Sequence, residues 1–168
     1  MPKTVDSFRF IDGITRRMIK NWIKIEEPRT IPWTPLAKPL SDCTVAMLSS
    51  AGIALKDDKP FDQESERQNP WWGDPSYRIL PKTATEAEIR LYHMHIDPSY
   101  AEQDLNCLFP LQRLQEMETS GRIERMSPRH YSTMGYILNP EQLLCETVPA
   151  LIRDLKADLA DVVVLVPA

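Results

Sequence analysis

Histidine is the side chain that titrates nearest neutral pH, so the histidines mark where acid–base chemistry is expected. The three in this chain are His93, His95 and His130, all within residues 89–137. Carboxyl and amide groups occur in the same stretch: Asp97, Asp104 and Asn106. We therefore predict the functional site here, with His130 and Asp104 as candidate catalytic residues and the other four as candidate substrate-binding residues.

The first two histidines end a predicted strand over residues 86–95, EAEIRLYHMH. Apolar and polar residues alternate near its end, which predicts that His93 and His95 project from the same face. Such a pair can be structural histidines that are hydrogen-bonded at the end of a sheet, or can ligate a metal ion if Asp97 completes the set. The residues leave both interpretations open.

Two serines follow another predicted strand, residues 43–48, CTVAML. An unbroken apolar run of this length is typical of a strand covered on both faces. Ser49 and Ser50 then lead into Ala51 and Gly52 at the carboxyl end of the strand. This turn either binds an anion through its backbone N–H groups or is only a tight turn, and both serines are candidate substrate-binding residues.

The clearest helix covers residues 109–120. Pro110 at its first turn and Gly121 just beyond its end are typical helix boundaries. Asp104 and Asn106 precede this helix, and they either cap it or face a ligand at its N-terminus.

A predicted loop, residues 128–135 (PRHYSTMG), presents His130 together with Ser132, a further candidate substrate-binding residue. A serine and a histidine in one loop do not make a catalytic triad, because the third partner is not identified.

Strands and helices alternate around these candidates. Further strands are predicted at residues 74–80 and 122–126, and a helical stretch after Asn139 is divided by Pro149, with Thr147 as a cap. The last segment, DVVVLVPA, has the composition of a fully buried parallel strand. The pattern predicts an α/β fold: an open, doubly wound, mostly parallel sheet in three layers, Rossmann- or flavodoxin-like, and incomplete at the C-terminus.

Residues 1–40 are predicted to be distinct from the α/β domain at residues 41–168. Apolar residues at spacings of three and four predict a helical arm over residues 5–25. Four prolines within residues 26–40 exclude a helix and predict an extended strap, with Trp33 as its apolar anchor.

Composition excludes several classes of protein. A net charge of −4 argues against nucleic-acid binding, which normally requires a basic face. No apolar run reaches the ~20 residues of a membrane span, and the N-terminus has no signal-peptide core, so the chain is predicted to be cytoplasmic. Three widely spaced cysteines offer no CxxC motif and predict buried or half-buried thiols.

Several motifs between about Trp33 and the C-terminus carry a family resemblance. They are CTVAMLSSAGIAL, PFD, GDPSYRILP, DLNCLFPLQRLQEMETSGRI, RHYSTMGYI and PALIRDLKADLADVVVLVPA. Together they resemble the selenoprotein B family of glycine, sarcosine and betaine reductases, with the selenoprotein subunit of D-proline reductase. The pattern D.N..FPL.RL.E...G, followed by H.S.MG, contributes most to the resemblance.

The resemblance implies reductive cleavage of a carbon–nitrogen bond in glycine, betaine, sarcosine or a proline-type substrate. A selenolate attacks the carbon, and a thiol resolves the adduct in a thioredoxin-type electron transfer. In several relatives a pyruvoyl-containing partner subunit captures the substrate amine. By this resemblance, Asp97 or Asp104 would face a cationic substrate group, whereas Ser49, Ser50, His93 and His130 would face its carboxylate.

In that family a selenocysteine, or sometimes a cysteine, follows the last strand, whereas this sequence stops at Ala168. We expect the chain to end at an undecoded UGA codon and to lack the nucleophile, because Cys43, Cys107 and Cys145 do not match its position. The expected product is a reductase subunit, or its N-terminal part, that is inactive alone. The alternative is a non-catalytic α/β module that binds a small ligand or a partner. An uncovered last strand also predicts a homo-oligomer.

Overall fold

A computed structural model of the chain describes residues 11–25, 30, 34–69 and 71–168. It divides into two units, Met1–Pro35 and Leu36–Ala168. Within the first unit the described element is helix α1, Gly13–Ile25. The start of the predicted arm, most of the predicted strap and Trp33 lie outside the described residues, so the strap stays a prediction.

Helix α1 has one apolar side and one basic side. Ile14, Met18 and Trp22 recur every four residues, and all three side chains are exposed. Asp12 precedes the helix and accepts hydrogen bonds from the backbone N–H groups of Ile14 and Thr15, as an N-cap does. The only charged residues within α1 are basic, and they are Arg16, Arg17, Lys20 and Lys24.

The second unit contains seven strands and four further α-helices among its described residues. The strands are β1 Thr44–Ser49, β2 Ile53–Leu55, β3 Tyr77–Pro81, β4 Ile89–Leu91, β5 Arg125–Met126, β6 Arg129–Thr133 and β7 Val162–Val166. The helices are α2 Gln63–Gln68, α3 Ser99–Gln103, α4 Leu111–Thr119 and α5 Val148–Ala157. Short 3-10 turns at Leu40–Asp42, Glu86–Glu88 and Leu105–Cys107 and a π-helical turn at Leu143–Thr147 complete the described elements.

The main sheet is built around β1, the apolar strand predicted from CTVAML. Strands β5 and β6 both run parallel to β1 on one side, and β7 runs parallel to it on the other side. Strand β3 pairs with β6 and is antiparallel to it. The predicted mixed α/β architecture with a mostly parallel sheet is confirmed, whereas the flavodoxin-like topology stays a prediction.

Helices cover both faces of this sheet. Neighbouring residues of a strand point to opposite faces, and on β6 His130 points towards Phe109, just before α4, while Tyr131 donates a hydrogen bond to Asp158 beyond α5. On the α4 face, Val45 and Met47 of β1 pack into the main core. That core also contains Cys43, Ala51, Ile53, Leu80, Ile89, Leu105, Phe109, Leu111, Leu114, Ile123 and Met126.

The predicted strand over residues 86–95 is too long. Strand β4 ends at Leu91 because its antiparallel partner β2 has only three residues, and the pair forms a separate small sheet. His93 and His95 therefore lie in the turn that follows β4, not on one face of a strand as predicted. The alternation of apolar and polar residues continues beyond Leu91, but the strand stops there because no residue of β2 is left to pair with it.

Two further expectations about the C-terminal half are also wrong. Thr147 makes no cap hydrogen bond to α5, and its hydroxyl donates to the Pro75 carbonyl instead, at 2.6 Å. Strand β7 is parallel to β1 as predicted but is not fully buried, since 69% of Leu165 is exposed. By contrast, the predicted end of α4 is correct to within one residue. The helix ends at Thr119, and Gly121, the predicted boundary, follows with a φ of 69°.

Candidate functional site

The carboxyl ends of β1, β6 and β7 meet at one edge of the sheet, because all three strands are parallel. This is the edge where open α/β sheets bind ligands. Ser50 follows β1, and its backbone N–H donates to the Val166 carbonyl of β7 at 3.0 Å. Its hydroxyl oxygen accepts a hydrogen bond from the Ala168 N–H at 2.9 Å, so the hydroxyl proton of Ser50 can still be donated to a ligand.

His93 is brought to this edge by the turn that joins β1 to β2. Gly52 adopts a φ of 62°, which favours glycine, and its carbonyl accepts a hydrogen bond from the Tyr92 N–H at 2.8 Å. Gly135 packs closely against the ring, at a position where any side chain would clash. A Cβ at Gly135 would lie 2.9 Å from His93 Nε2 and 2.8 Å from the Ser50 carbonyl oxygen.

The hydrogen bonds of His93 define which ring nitrogen carries its proton. Nδ1 accepts a hydrogen bond from the backbone N–H of His95 at 3.1 Å, so neutral His93 is protonated on Nε2. Burial lowers the pKa of His93, and the nearby charge of His95 lowers it further. His93 is thus a neutral hydrogen-bond donor whose Nε2 lies beside Ser50 and Gly135.

His95 lies at the same edge and is paired with Glu66, a carboxylate that was not predicted from the sequence. Glu66 of α2 is 2% exposed, and its Oε1 lies 2.8 Å from Nε2 of His95. The His95 ring packs on Tyr136 with a centroid distance of 4.3 Å. We refer to Ser50, Glu66, His93, His95 and Gly135 as the carboxyl-edge cluster.

Nothing in the sequence around Glu66 signals its role, because QESERQ is a short polar helix. The indirect signal is the pair of motifs that hold this helix, PFD and GDPSYRILP. Asp62, the last residue of the first motif, caps α2 by accepting from Ser65, and Asp74 of the second motif accepts the Asp62 N–H at 2.9 Å.

Ser49 and Ser132 are also near this edge, but both are buried and have partners within the fold. The Ser49 hydroxyl donates to the Leu108 carbonyl at 2.8 Å, and its oxygen accepts from Ala51 N–H. The Ser132 oxygen accepts from Ile53 N–H at 2.8 Å. These hydrogen bonds join β1 and β6 to neighbouring segments, and the predicted substrate contacts of both serines remain untested.

Asp97, Asp104 and Asn106 form local turns rather than joining the histidines. Asp97 accepts from the Ser99 N–H at 2.9 Å, and this hydrogen bond lowers the pKa of Asp97. Asp104 accepts from both the side chain and the backbone N–H of Asn106, which lowers the pKa of Asp104. It thereby caps the 3-10 turn Leu105–Cys107 instead of α4.

The loop predicted around His130 is wrong, because His130 lies on strand β6. Its side chain is fully buried, with the Phe109 ring at a centroid distance of 6.3 Å. Neither ring nitrogen has a hydrogen-bond partner in the described part of the chain, and burial lowers the pKa of His130 to about 4. Its catalytic role stays a prediction, and the structure places the ring in the core.

Among residues 11–25, 30, 34–69 and 71–168, no three Cys, His, Asp or Glu side chains gather in a way that could hold a metal ion. The three free cysteines differ in exposure: Cys43 is buried as expected, whereas Cys107 and Cys145 are exposed, contrary to the prediction. No helix in the described residues is long and apolar enough to cross a membrane.

The sequence was compared with protein families and with known proteins. The model of the family "Glycine/sarcosine/betaine reductase selenoprotein B (GRDB)" matches residues 10–167. The chain is 32% identical over 144 residues to the D-proline reductase subunit gamma of Acetoanaerobium sticklandii, covering 84% of this chain and 56% of that relative. It is 30% identical over 135 residues to the glycine reductase complex component B subunit gamma of Carboxydothermus hydrogenoformans. This match covers 80% of this chain and 30% of that relative.

A third relative is the betaine reductase complex component B subunit beta of Peptoclostridium acidaminophilum, 29% identical over 99 residues. This match covers 58% of the chain and 22% of the relative. The chain therefore spans about half the length of the first of these curated relatives, and less of the other two. No solved structure gives a significant match.

Proposed function

The chain belongs to the glycine/sarcosine/betaine reductase selenoprotein B family, and on that premise we propose that its carboxyl-edge cluster binds the substrate of a reductase complex. The proposed reaction is selenol- or thiol-dependent cleavage of a carbon–nitrogen bond in glycine, sarcosine, betaine or a proline-type substrate. The relatives are subunits of D-proline, glycine and betaine reductases, which supports a subunit role for this chain.

The observation that carries the proposal is the convergence of Ser50, His93 and His95 at the carboxyl ends of three parallel strands. All the proposed substrates have a carboxylate, which requires hydrogen-bond donors. His93 offers Nε2–H and Ser50 offers its hydroxyl proton, because their other positions accept backbone N–H groups. This cluster therefore supplies the donors that a carboxylate needs, whereas Asp97 and Asp104 are acceptors and each uses Oδ1 in a local turn.

The residues at this edge also fit the nucleophile that the family resemblance implies. The backbone N–H of Ala168 donates to the Ser50 hydroxyl at 2.9 Å, so the segment that follows β7 lies beside one of the proposed carboxylate donors. A selenol or thiol held there would supply the attacking atom, while His93 and Ser50 orient the substrate carboxylate. A pyruvoyl-containing partner subunit and a thioredoxin-like electron donor complete the proposed complex.

Substrate binding can be tested on the chain itself. We expect glycine, sarcosine, betaine and D-proline, added to chain labelled with 13C in its histidines, to shift the NMR signals of His93 and His95 and leave those of His130 in place. Ser50→Ala removes one donor and is expected to weaken binding of all four ligands. Ser41→Ala, which changes an exposed serine that bonds Asp42, is the matched control.

Two results would contradict the proposal. The first is that none of the four ligands shifts the His93 and His95 signals at concentrations that saturate the assembled reductase. The second is that Ser50→Ala and Ser41→Ala bind all four ligands equally well. In chain labelled uniformly with 15N, shifts confined to the backbone signals of Asp104 and Asn106 would instead move the site to the turn before α4.

We also propose that the chain forms a homo-oligomer through the free edge of β7. Strand β7 pairs with β1 on one side only, within the part of the chain that the structure describes, and 69% of Leu165 and 40% of Val164 are exposed. An apolar edge strand tends to pair with another copy. Sedimentation analysis of Leu165→Lys should show a smaller assembly than the unsubstituted chain, and equal sedimentation at equal concentration would refute this interface.

A further inference from the structure

Glu66 is a buried carboxylate that makes one hydrogen bond with a histidine and leaves its second oxygen unpaired. The residue is 2% exposed, Oε1 lies 2.8 Å from His95 Nε2, and buried Oε2 has no partner among the described residues. A carboxylate removed from water without full pairing costs free energy. A purely structural role would be served at least as well by an apolar residue, so the position calls for a chemical explanation.

The fold holds α2, and with it Glu66, by several independent contacts. The Arg78 guanidinium donates to the Lys59 and Pro60 carbonyls at 2.7 and 2.8 Å and lies 4.1 Å above the Phe61 ring. Buried Arg78 is in turn paired with Asp74, whose carboxylate accepts the backbone N–H of the α2 cap. The segment before α2 is therefore fixed to β3.

A second contact ties α2 directly to the histidine turn. Tyr92 is the residue that precedes His93, and its carbonyl accepts a hydrogen bond from the Gln63 side-chain amide at 2.5 Å. The Phe61 and Tyr92 rings also pack edge to face at 5.9 Å. Since both the helix and the turn are anchored, the distance between Glu66 and His95 is set by the fold and not by two mobile side chains.

The partner of Glu66 is a histidine that is open to solvent. The His95 side chain is 47% exposed, whereas the Glu66 side chain is 2% exposed. Because an ionised carboxylate only accepts hydrogen bonds, Nε2–H of neutral His95 donates to Glu66 and the ring has its lone pair on Nδ1. Across the described ranges, no group hydrogen-bonds to Nδ1 of His95, so this nitrogen is available to a bound molecule.

We propose that Glu66 and His95 form a proton-transfer dyad in which His95 exchanges a proton through Nδ1 and Glu66 is the positioning residue. Glu66 selects the ring tautomer by accepting the hydrogen bond from Nε2–H of His95. The two histidines of the turn then have complementary tasks. His93 donates a hydrogen bond from Nε2 without changing its protonation state, and His95 moves the proton.

The dyad rests on the proposed function and assigns it a proton donor. When the carbon–nitrogen bond breaks, nitrogen keeps the electron pair, and the selenolate or thiolate attacking the carbon supplies the pair that replaces it. The departing nitrogen takes one proton from Nδ1 of the His95 imidazolium. The ring returns to its neutral form with Nε2–H still hydrogen-bonded to Glu66, so atoms and charges balance.

The first test measures the tautomer of His95 and needs no turnover. In 15N-labelled chain, long-range 1H–15N correlation spectra report which nitrogen of each histidine is protonated, and single histidine variants assign the three rings. We expect neutral His95 to be protonated on Nε2, and Glu66→Leu to give a mixture of tautomers. Glu64→Gln, which changes an exposed residue of the same helix, should leave the His95 spectrum unchanged.

The second test measures turnover in the assembled reductase that contains this chain. His95→Asn is expected to lower turnover by about 10²-fold or more, the usual contribution of a general acid. Glu66→Gln keeps the shape of the side chain but removes its charge, and should lower kcat with little change in KM for the amino-acid substrate. Glu64→Gln is again the control, with unchanged turnover.

These results separate the dyad from the proposed function. A His95 protonated on Nδ1, or unaltered in Glu66→Leu, overturns the pairing whatever the activity. Full turnover of His95→Asn overturns the proton-transfer role even if the tautomer is as expected. A fixed Nε2 tautomer, with no turnover of any of the four substrates by the unsubstituted complex, supports the pairing and refutes the proposed function.

Discussion

The buried ring of His130 should make the stability of the fold depend on pH, and this can be worked out from its surroundings. The side chain is fully buried on β6, and its nitrogens have no hydrogen-bond partner within the described ranges. Burial penalises the charged ring, which lowers the pKa of His130 from 6.5 to about 4. The perturbations are therefore a change of pH and the substitution His130→Leu.

The direction follows from proton binding. Between pH 6.5 and about pH 4 the unfolded chain holds a proton on this histidine that the folded chain does not, so the fold loses stability as pH falls through this window. Applied to these two pKa values, linkage gives a loss of about 2 kcal/mol in the free energy of unfolding between about pH 7 and about pH 5. For a chain of this size that corresponds to a fall in Tm of roughly 4–8 °C.

The assay is urea unfolding, followed by circular dichroism at several pH values. His130→Leu removes the ring and should remove that part of the pH dependence, while leaving the protein no less stable near neutral pH, because an unpaired buried polar group is lost. The pKa of His93 is also lowered by burial. His93→Leu, measured alongside, gives the share of the second histidine in the same pH window.

The result that refutes this reasoning is specific. If His130→Leu loses as much stability between about pH 7 and about pH 5 as the unsubstituted chain, the ring is not a neutral core group. NMR titration provides an independent check, since the His130 ring signals should still be those of the neutral form near pH 5.

Other substitutions test the cluster and the sheet. Gly135→Ala places a Cβ 2.8 Å from the Ser50 carbonyl oxygen, and we expect it to lower the free energy of unfolding by about 1–3 kcal/mol and to shift the ring signals of His93; unchanged signals would contradict the close packing. The Arg129 guanidinium lies 2.8 Å from the Asp158 carboxylate, whose side chain is only 9% exposed. Arg129→Ala leaves this carboxylate without its ion-pair partner, so the free energy of unfolding in urea should fall by roughly 3 kcal/mol. Arg113→Ala breaks an exposed pair and should cost less than about 1 kcal/mol; equal losses in the two arginine variants would be evidence against a special role for the Asp158 pair.

The parts of the fold that the sequence predicts correctly are those with strong local signals. The apolar run CTVAML becomes β1 with a shift of one residue, and helix α4 lies between Pro110 and Gly121 as expected. Segment RHYST was predicted as part of a loop. It forms a strand because its backbone pairs with β1 and β3, and tertiary partners bind two of its polar groups, with Tyr131 donating to Asp158 and Ser132 accepting from Ile53.

The candidate site is predicted only in part for the same reason. His93, His95 and Ser50 are recognisable by residue type, and the structure brings these three to one edge of the sheet. Glu66 could not be identified from a short polar helix, because its burial depends on contacts with a distant turn. The acids that look most chemical in the sequence, Asp97 and Asp104, are used by neighbouring backbone N–H groups.

The position of β1 within the sheet also has a consequence for how the chain folds. Every pairing of β1 is with a strand far downstream, since Thr44 pairs with Arg125, Leu48 with Tyr131, and Val45 with Val162. Such high contact order slows folding, because the loops must close before these contacts form. During synthesis, this apolar strand leaves the ribosome long before its neighbours, so the nascent chain should depend on chaperones to shield β1.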